Sequence, residues 1–90
     1  MAKAHVDPAE LRRFARDLKR FNGELQALLG GLHARMMGLE NTWRDQEQHR
    51  FTEEFDRTTK TLTTFLKASE QHVAFLTKKA VHIEEYLRQR

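Results

Sequence analysis

The sequence predicts an all-α protein, an antiparallel two-helix hairpin that dimerises into a four-helix bundle. Three observations carry the prediction. Apolar residues recur every three or four positions along two long segments, one short polar break separates the segments, and each segment opens on a helix-capping signal. The chain reads as a single domain over residues 1–90, with helix 1 at about 8–39, a turn at about 40–45 and helix 2 at about 46–88.

Helix 1 starts at Asp7-Pro8-Ala9-Glu10. Asp7 suits the cap, because its carboxylate accepts from free backbone N–H groups; Pro8 suits the first helical position; Glu10 falls three residues after the cap. The apolar seam then runs Leu11, Phe14, Leu18, Phe21, Leu25, Leu28, Leu32 and Leu39, and Arg35 takes the one slot where an apolar residue is expected. Ala15, Leu29 and Met36 form a flanking column that widens the stripe, so this helix is expected to touch more than one neighbour. Gly30 and Gly31 cost about 1 kcal/mol each against Ala. Leu25, Leu28 and Leu32 keep phase across them, which predicts one continuous helix, bent or straight.

Helix 2 carries Phe51, Phe55, Leu62, Phe65, Leu66, Val73, Leu76, Ala80, Ile83 and Leu87, with Asp45 as its cap and Gln48 three residues on. Five threonines between Thr58 and Thr64 favour a strand by propensity. The helical period persists on both sides of them and decides for helix. The connection between the segments is short, so the two helices must run antiparallel. The only tryptophan, Trp43, sits in that connection, where its ring is placed either to cap the hairpin's own core or to meet a second molecule.

Composition removes several classes of function. There is no cysteine, hence no disulfide, thiolate metal site or cysteine nucleophile. No apolar run approaches the ~20 residues of a membrane span, and the start "MAKAHVDPAEL" has no apolar stretch of the kind a cleavable signal peptide needs. The expectation is synthesis in the cytoplasm without a cleavable signal. His5, His33, His49, His72 and His82 are scattered; His72 and His82 stand ten apart, not the i, i+4 spacing that aligns two metal ligands on a helix. No triad, paired carboxylates or phosphate-cradling glycine loop stands out, so neither an enzyme nor a cofactor is expected. The Glu53-Glu54 and Glu84-Glu85 pairs read as solvated helix faces. Arg12, Arg13, Arg16, Lys19 and Arg20 offer a basic surface to phosphates. Arg13 is spaced to pair with Asp17, though, and no aromatic residue is free for base stacking, so nucleic acid is not the expected partner.

The layout resembles the WXG family of early-secreted-antigen-like proteins, the small substrates and partners of type VII secretion systems. The resemblance rests on the "VDPAEL" start, on two long helices in a chain of this size, and on the central "TWRD" followed by Phe51 and Phe55. It implies a helical hairpin with Trp43 in the turn, pairing with itself or with a paralogous WXG-type protein, and a secretion ATPase as a further partner. Trp43 and Arg44 match the motif's first two positions, and Asp45 stands where the motif has Gly. Substrates in the family often end on a Tyr followed four residues later by an acidic residue; here Tyr86 is in place and Arg90 is not acidic. That leaves export on a partner's signal, a divergent system, or no export. The function implied is a non-enzymatic type VII secretion substrate, or a substrate's dimer partner and chaperone. The competing reading is a coiled-coil adaptor or basic nucleic-acid-binding helical protein with no tie to secretion.

Charge gives the expected dimer an orientation. Residues 1–20 hold six Lys/Arg against three Asp/Glu, and residues 78–90 hold four against two, so the open end of the hairpin carries +5. Residues 40–56, at the turn, hold six acids against Arg44 and Arg50, which gives −4. An antiparallel homodimer sets each basic end beside the partner's acidic turn. Because exposed charges are screened beyond about 8 Å in physiological salt, the apolar stripes must supply the affinity.

Overall fold

The computed structural model describes residues 6–89. Helix α1 spans Pro8–Leu39 and α2 spans Gln46–Arg88, and they lie against each other along their length as an antiparallel hairpin of 68 × 23 × 15 Å. No strand occurs among the described residues. Helix α1 runs unbroken through Gly30 and Gly31. The threonine run is helical as well: the hydroxyls of Thr58, Thr61, Thr63 and Thr64 each donate to the carbonyl four residues back, which satisfies them without breaking the backbone ladder.

Both caps form. The Asp7 carboxylate accepts from the Ala9 N–H at 2.9 Å, and the Asp45 carboxylate accepts from the Gln48 N–H at 2.9 Å. The reciprocal half of the second cap is absent, because the Gln48 side chain instead donates to Thr52 Oγ1 at 2.9 Å, on the hairpin's inner face.

The inner seam of α1 is not the one the apolar spacing suggests. Among the seam residues expected from sequence, Leu11, Leu18 and Leu25 are half-buried toward α2, Phe14, Phe21 and Leu28 point outward, and Leu32, in the column of Leu25, stays 45% exposed. The expected flank supplies the buried positions: Ala15 and Met36 are buried and Leu29 half-buried, with Asn22 completing the column at 5% exposure. The resulting order, 11-15-18-22-25-29-36, is a heptad seam whose polar member hides it from an apolar count. In α2 the same thing happens. Phe55, Leu66, Val73, Leu76 and Ile83 are half-buried and share that seam with Gln48, Thr52, Thr59, Ser69 and Ala80, while Leu62 and Phe65 stand exposed at 36% and 44%.

Small residues in the seam allow the helices to close up, and they also leave the hairpin's own core thin. Among the described residues no large side chain is fully buried. A single pair of helices with so little buried apolar surface is a weak fold by itself.

Candidate functional site: the exposed aromatic face and the Trp43 turn

The outward-pointing residues share one face. Phe21 and Phe65 meet edge to face, with ring centroids 6.2 Å apart, although each remains close to half exposed. This contact fixes the side of the hairpin to which both flanking columns belong. Phe14 and Leu28 lie one heptad either side of Phe21, so they lie on that side too, at 56% and 67% exposure. Leu32 and Leu62, both exposed, line its inner edge. Isolated exposed leucines need no explanation; a stripe of aromatics and leucines this long, around a ring pair at mid-helix, marks an interaction surface.

The turn end is built differently. The last carbonyls of α1 are satisfied locally: the Thr42 and Trp43 N–H groups both donate to the Leu39 carbonyl, at 3.0 and 2.9 Å, and Arg44 Nε donates to the Glu40 carbonyl at 2.9 Å. That puts a guanidinium at the negative end of the helix dipole. Trp43 is half-buried. Its ring packs on Phe51 at 5.8 Å, and Phe51 stacks on Phe55, also at 5.8 Å. The three rings carry the aromatic surface from the turn onto the first turns of α2. An open hollow of about 500 Å³ beside them is lined by Glu40, Asn41, Trp43, Arg44, Gln48 and His49.

Asp45 explains its own departure from the motif. Its backbone is extended, with φ −91° and ψ −176°, so the position does not need glycine's left-handed freedom, and the carboxylate serves as the cap of α2. Trp43, Arg44 and Asp45 are therefore brought together as one unit: ring, C-terminal cation and N-terminal cap. Trp43→Ala is expected to cost about 1–2 kcal/mol through the lost ring contact, and to leave a mainly helical protein because neither inner seam passes through the residue. Circular dichroism checks this, and loss of most of the helical signal would contradict it.

Two polar links escaped the sequence reading because their partners lie far apart in the chain. Arg12 makes a two-pronged contact with Glu84, Nε to Oε2 at 2.8 Å and Nη2 to Oε1 at 2.7 Å, pinning the open end of the hairpin. Neither residue is the unpaired surface charge its neighbours suggest. Asp17, for its part, approaches Arg20 at 3.8 Å rather than Arg13. The hydrogen bonds from Arg12 hold the Glu84 carboxyl below its ordinary range, partly offset by desolvation and reinforced by the charges of Arg12 and Arg88. A depressed carboxylate contributes stability above its unfolded pKa of about 4.3, and loses it as pH falls through the folded value. Both side chains are substantially exposed, so the effect is small. In thermal melts from about pH 6 to pH 3, the midpoint of Glu84→Gln should fall less steeply than that of the parent chain; parallel curves would show no contribution from the pair. The second link joins Ser69 Oγ to Asn22 Oδ1 at 2.8 Å, buried between the helices.

Among the described residues no group of three His, Asp or Glu side chains is placed to hold a metal ion, and no helix is long and apolar enough to cross a membrane. His33, His49, His72 and His82 are all exposed; His5 and Arg90 lie outside the described residues.

The same architecture occurs in a crystallised protein. EsxB, a secreted protein from Bacillus anthracis str. Sterne, superposes in its selenomethionine-labelled form with a TM-score of 0.81 at 26% identity, covering 96% of this chain and 98% of EsxB. Its wild-type form gives 0.78 at 27% identity, covering 91% and 94%. Among curated proteins no sequence matches. The family whose pattern this chain fits is described as proteins of 100 residues with WXG, and the match runs over residues 3–86. Its members are secreted through type VII systems, and dimerisation into four-helix bundles is typical of them. A capped antiparallel hairpin with its tryptophan in the turn and its aromatic face exposed is the form that pattern takes here, and the chain belongs to the WXG100 family.

Proposed function

We propose that the protein works as a non-enzymatic pairing module of type VII secretion, either a substrate itself or the dimer partner and chaperone of a substrate, and that its partner is a second copy of this chain. The observation that carries the reading is the exposed face centred on Phe21 and Phe65. The thin inner core supports it: burying this face against a partner supplies the apolar area that the hairpin cannot bury alone.

The face is suited to two-fold pairing. Phe21 and Phe65 lie near the middles of their helices, so a two-fold axis beside them brings the same ring pair from each copy together. Trp43 lies 65 − 43 = 22 residues before Phe65, and Tyr86 lies 86 − 65 = 21 residues after it. At about 1.5 Å per helical residue these offsets are nearly equal. An antiparallel partner therefore sets its Tyr86 level with this chain's Trp43, and its basic open end beside this chain's acidic turn. The half-buried Trp43 ring and its hollow then sit next to the partner's helix ends, a composite surface for a secretion ATPase to read.

Sedimentation analysis tests the pairing: a dimer is expected at micromolar concentration, and a stable, folded monomer there would overturn it. Deleting the gene of a neighbouring secretion ATPase, or substituting Trp43, is expected to abolish export of the protein or its partner while leaving its cellular level unchanged. Undiminished export would overturn the secretion role.

A further inference from the structure

The outer side of α2, turned away from α1, carries charge of one sign. Residues 57–83 hold five Lys/Arg (Arg57, Lys60, Lys67, Lys78 and Lys79) against the single acid Glu70, a surplus of four where the whole chain carries +3. The surplus is not spread around the helix. Arg57, Lys60, Thr64, Lys67, Gln71, Phe75, Lys78 and His82 follow one another at three- and four-residue steps, so they form one stripe, and all of them are exposed. The stripe lies opposite the inner seam through Leu66, Ser69, Val73 and Ala80. Glu70 lies off it, beside Asn22 and Val73 at the hollow between the helices, and Glu53 and Glu85 stand only at its two ends.

Two observations separate this ridge from an ordinary solvated face. Solvated helices mix the two signs so that residues three and four apart pair, whereas the cations here have no acid beside them. The ion pairs among the described residues are Arg12–Glu84 and Asp17–Arg20, and neither involves the ridge. In the middle of these cations Phe75 stands 64% exposed, outside the column of Phe51 and Phe65 and without a ring partner among the described residues. The expectation that no aromatic residue is free for base stacking therefore fails at Phe75. It fails again at Tyr86, 67% exposed and one turn beyond His82.

We infer that this ridge binds a single strand of nucleic acid, with Arg57, Lys60, Lys67 and Lys78 on its phosphates and an unpaired base stacked on the Phe75 ring. Charge selects a polyanion, and spacing selects an extended one. From Arg57 to His82 the ridge is about 37 Å long, so its cations are strung out along a line and do not converge on one small anion. The free ring then selects among polyanions. A single strand offers open base faces, and cations interleaved with an aromatic are the elements that hold such strands. A duplex keeps its bases stacked on each other and gives the ring nothing to cover. An anionic membrane would answer the cations, but binding in the interface draws on a broad apolar face, and this ridge has one phenyl ring. The inference does not rest on the pairing face and stands or falls separately from it.

The test is fluorescence anisotropy of an end-labelled oligodeoxythymidylate twelve-mer titrated with the full chain over a range of salt concentrations. Saturable binding is expected, with log Kd rising against log salt at a slope of about 3, since each of four phosphate contacts to a single strand adds about 0.7. Lys67→Gln with Lys78→Gln should halve that slope. Phe75→Ala should weaken binding about tenfold with the slope unchanged, because it removes a stack and no charge. Arg16→Gln with Lys19→Gln, two cations of α1 off the ridge, should leave the slope as it was. All five side chains are exposed, so circular dichroism should show the same helix in every variant. Absence of saturable binding would overturn the inference, as would undiminished binding by Phe75→Ala or an equal loss of slope in the α1 variant. Binding to a duplex of the same length, or to phosphatidylserine vesicles, as tight as to the single strand would also overturn it.

Discussion

Phe65→Ala is expected to weaken self-association by about a thousandfold. A central interface aromatic costs about 2 kcal/mol or more when truncated. Two-fold pairing counts the loss once per copy, so the dimer loses about 4 kcal/mol, and each 1.4 kcal/mol is a factor of ten in Kd. Phe21→Ala is expected to behave alike, since its ring packs edge to face on the same Phe65 ring. Because the hairpin's inner core is thin, dissociation should bring loss of helix, so the melting temperature of either variant will depend on concentration more steeply than that of the parent. Sedimentation and circular dichroism over a dilution series measure both effects. The matching control is Phe75→Ala. Phe75 is 64% exposed, but it lies a further step around α2 from the column of Phe51 and Phe65. Its loss should change association little, and an effect as large as that of Phe65→Ala would move the interface to another face.

Replacing both Gly30 and Gly31 by alanine should work in the opposite direction. Each change recovers about 1 kcal/mol of helix propensity. Neither added Cβ has an atom within 4 Å, and neither glycine has positive φ, so no strain offsets the gain. Together they should stabilise the protein by about 2 kcal/mol and raise the melting temperature by about 10 °C for a chain of this size. A fall in melting temperature would mean that another molecule approaches the α1 backbone at this point in the native assembly.

Caps, periods and the break between helices are local signals, and they were legible in the sequence. Asp7-Pro8 and Asp45 set the two starts, and phase continuity across Gly30-Gly31 and the threonine run outweighed the propensity of those residues. The choice of face was not legible. The column Leu11-Leu18-Leu25 serves either seam, and apolarity alone favours the one through Phe14, Phe21 and Leu28 because Asn22 interrupts the other. The helices choose the seam with Ala15, Asn22, Ser69 and Ala80, where small side chains permit close approach and a hydrogen bond replaces an apolar contact. The aromatics are thereby turned outward, and residues that look like core become surface. Arg12–Glu84 was hidden for a simpler reason: its partners are 72 residues apart.

The proposal is most directly tested by the distance between the two turns of a dimer. The chain has no cysteine, so Asn41→Cys, in the exposed turn, gives one spin-label site per copy. Antiparallel pairing across Phe21 and Phe65 predicts a label-to-label distance by pulsed dipolar spectroscopy approaching the 68 Å length of the hairpin, because the turns lie at opposite ends of the bundle. A distance near the 23 Å width would place the turns side by side and contradict the account.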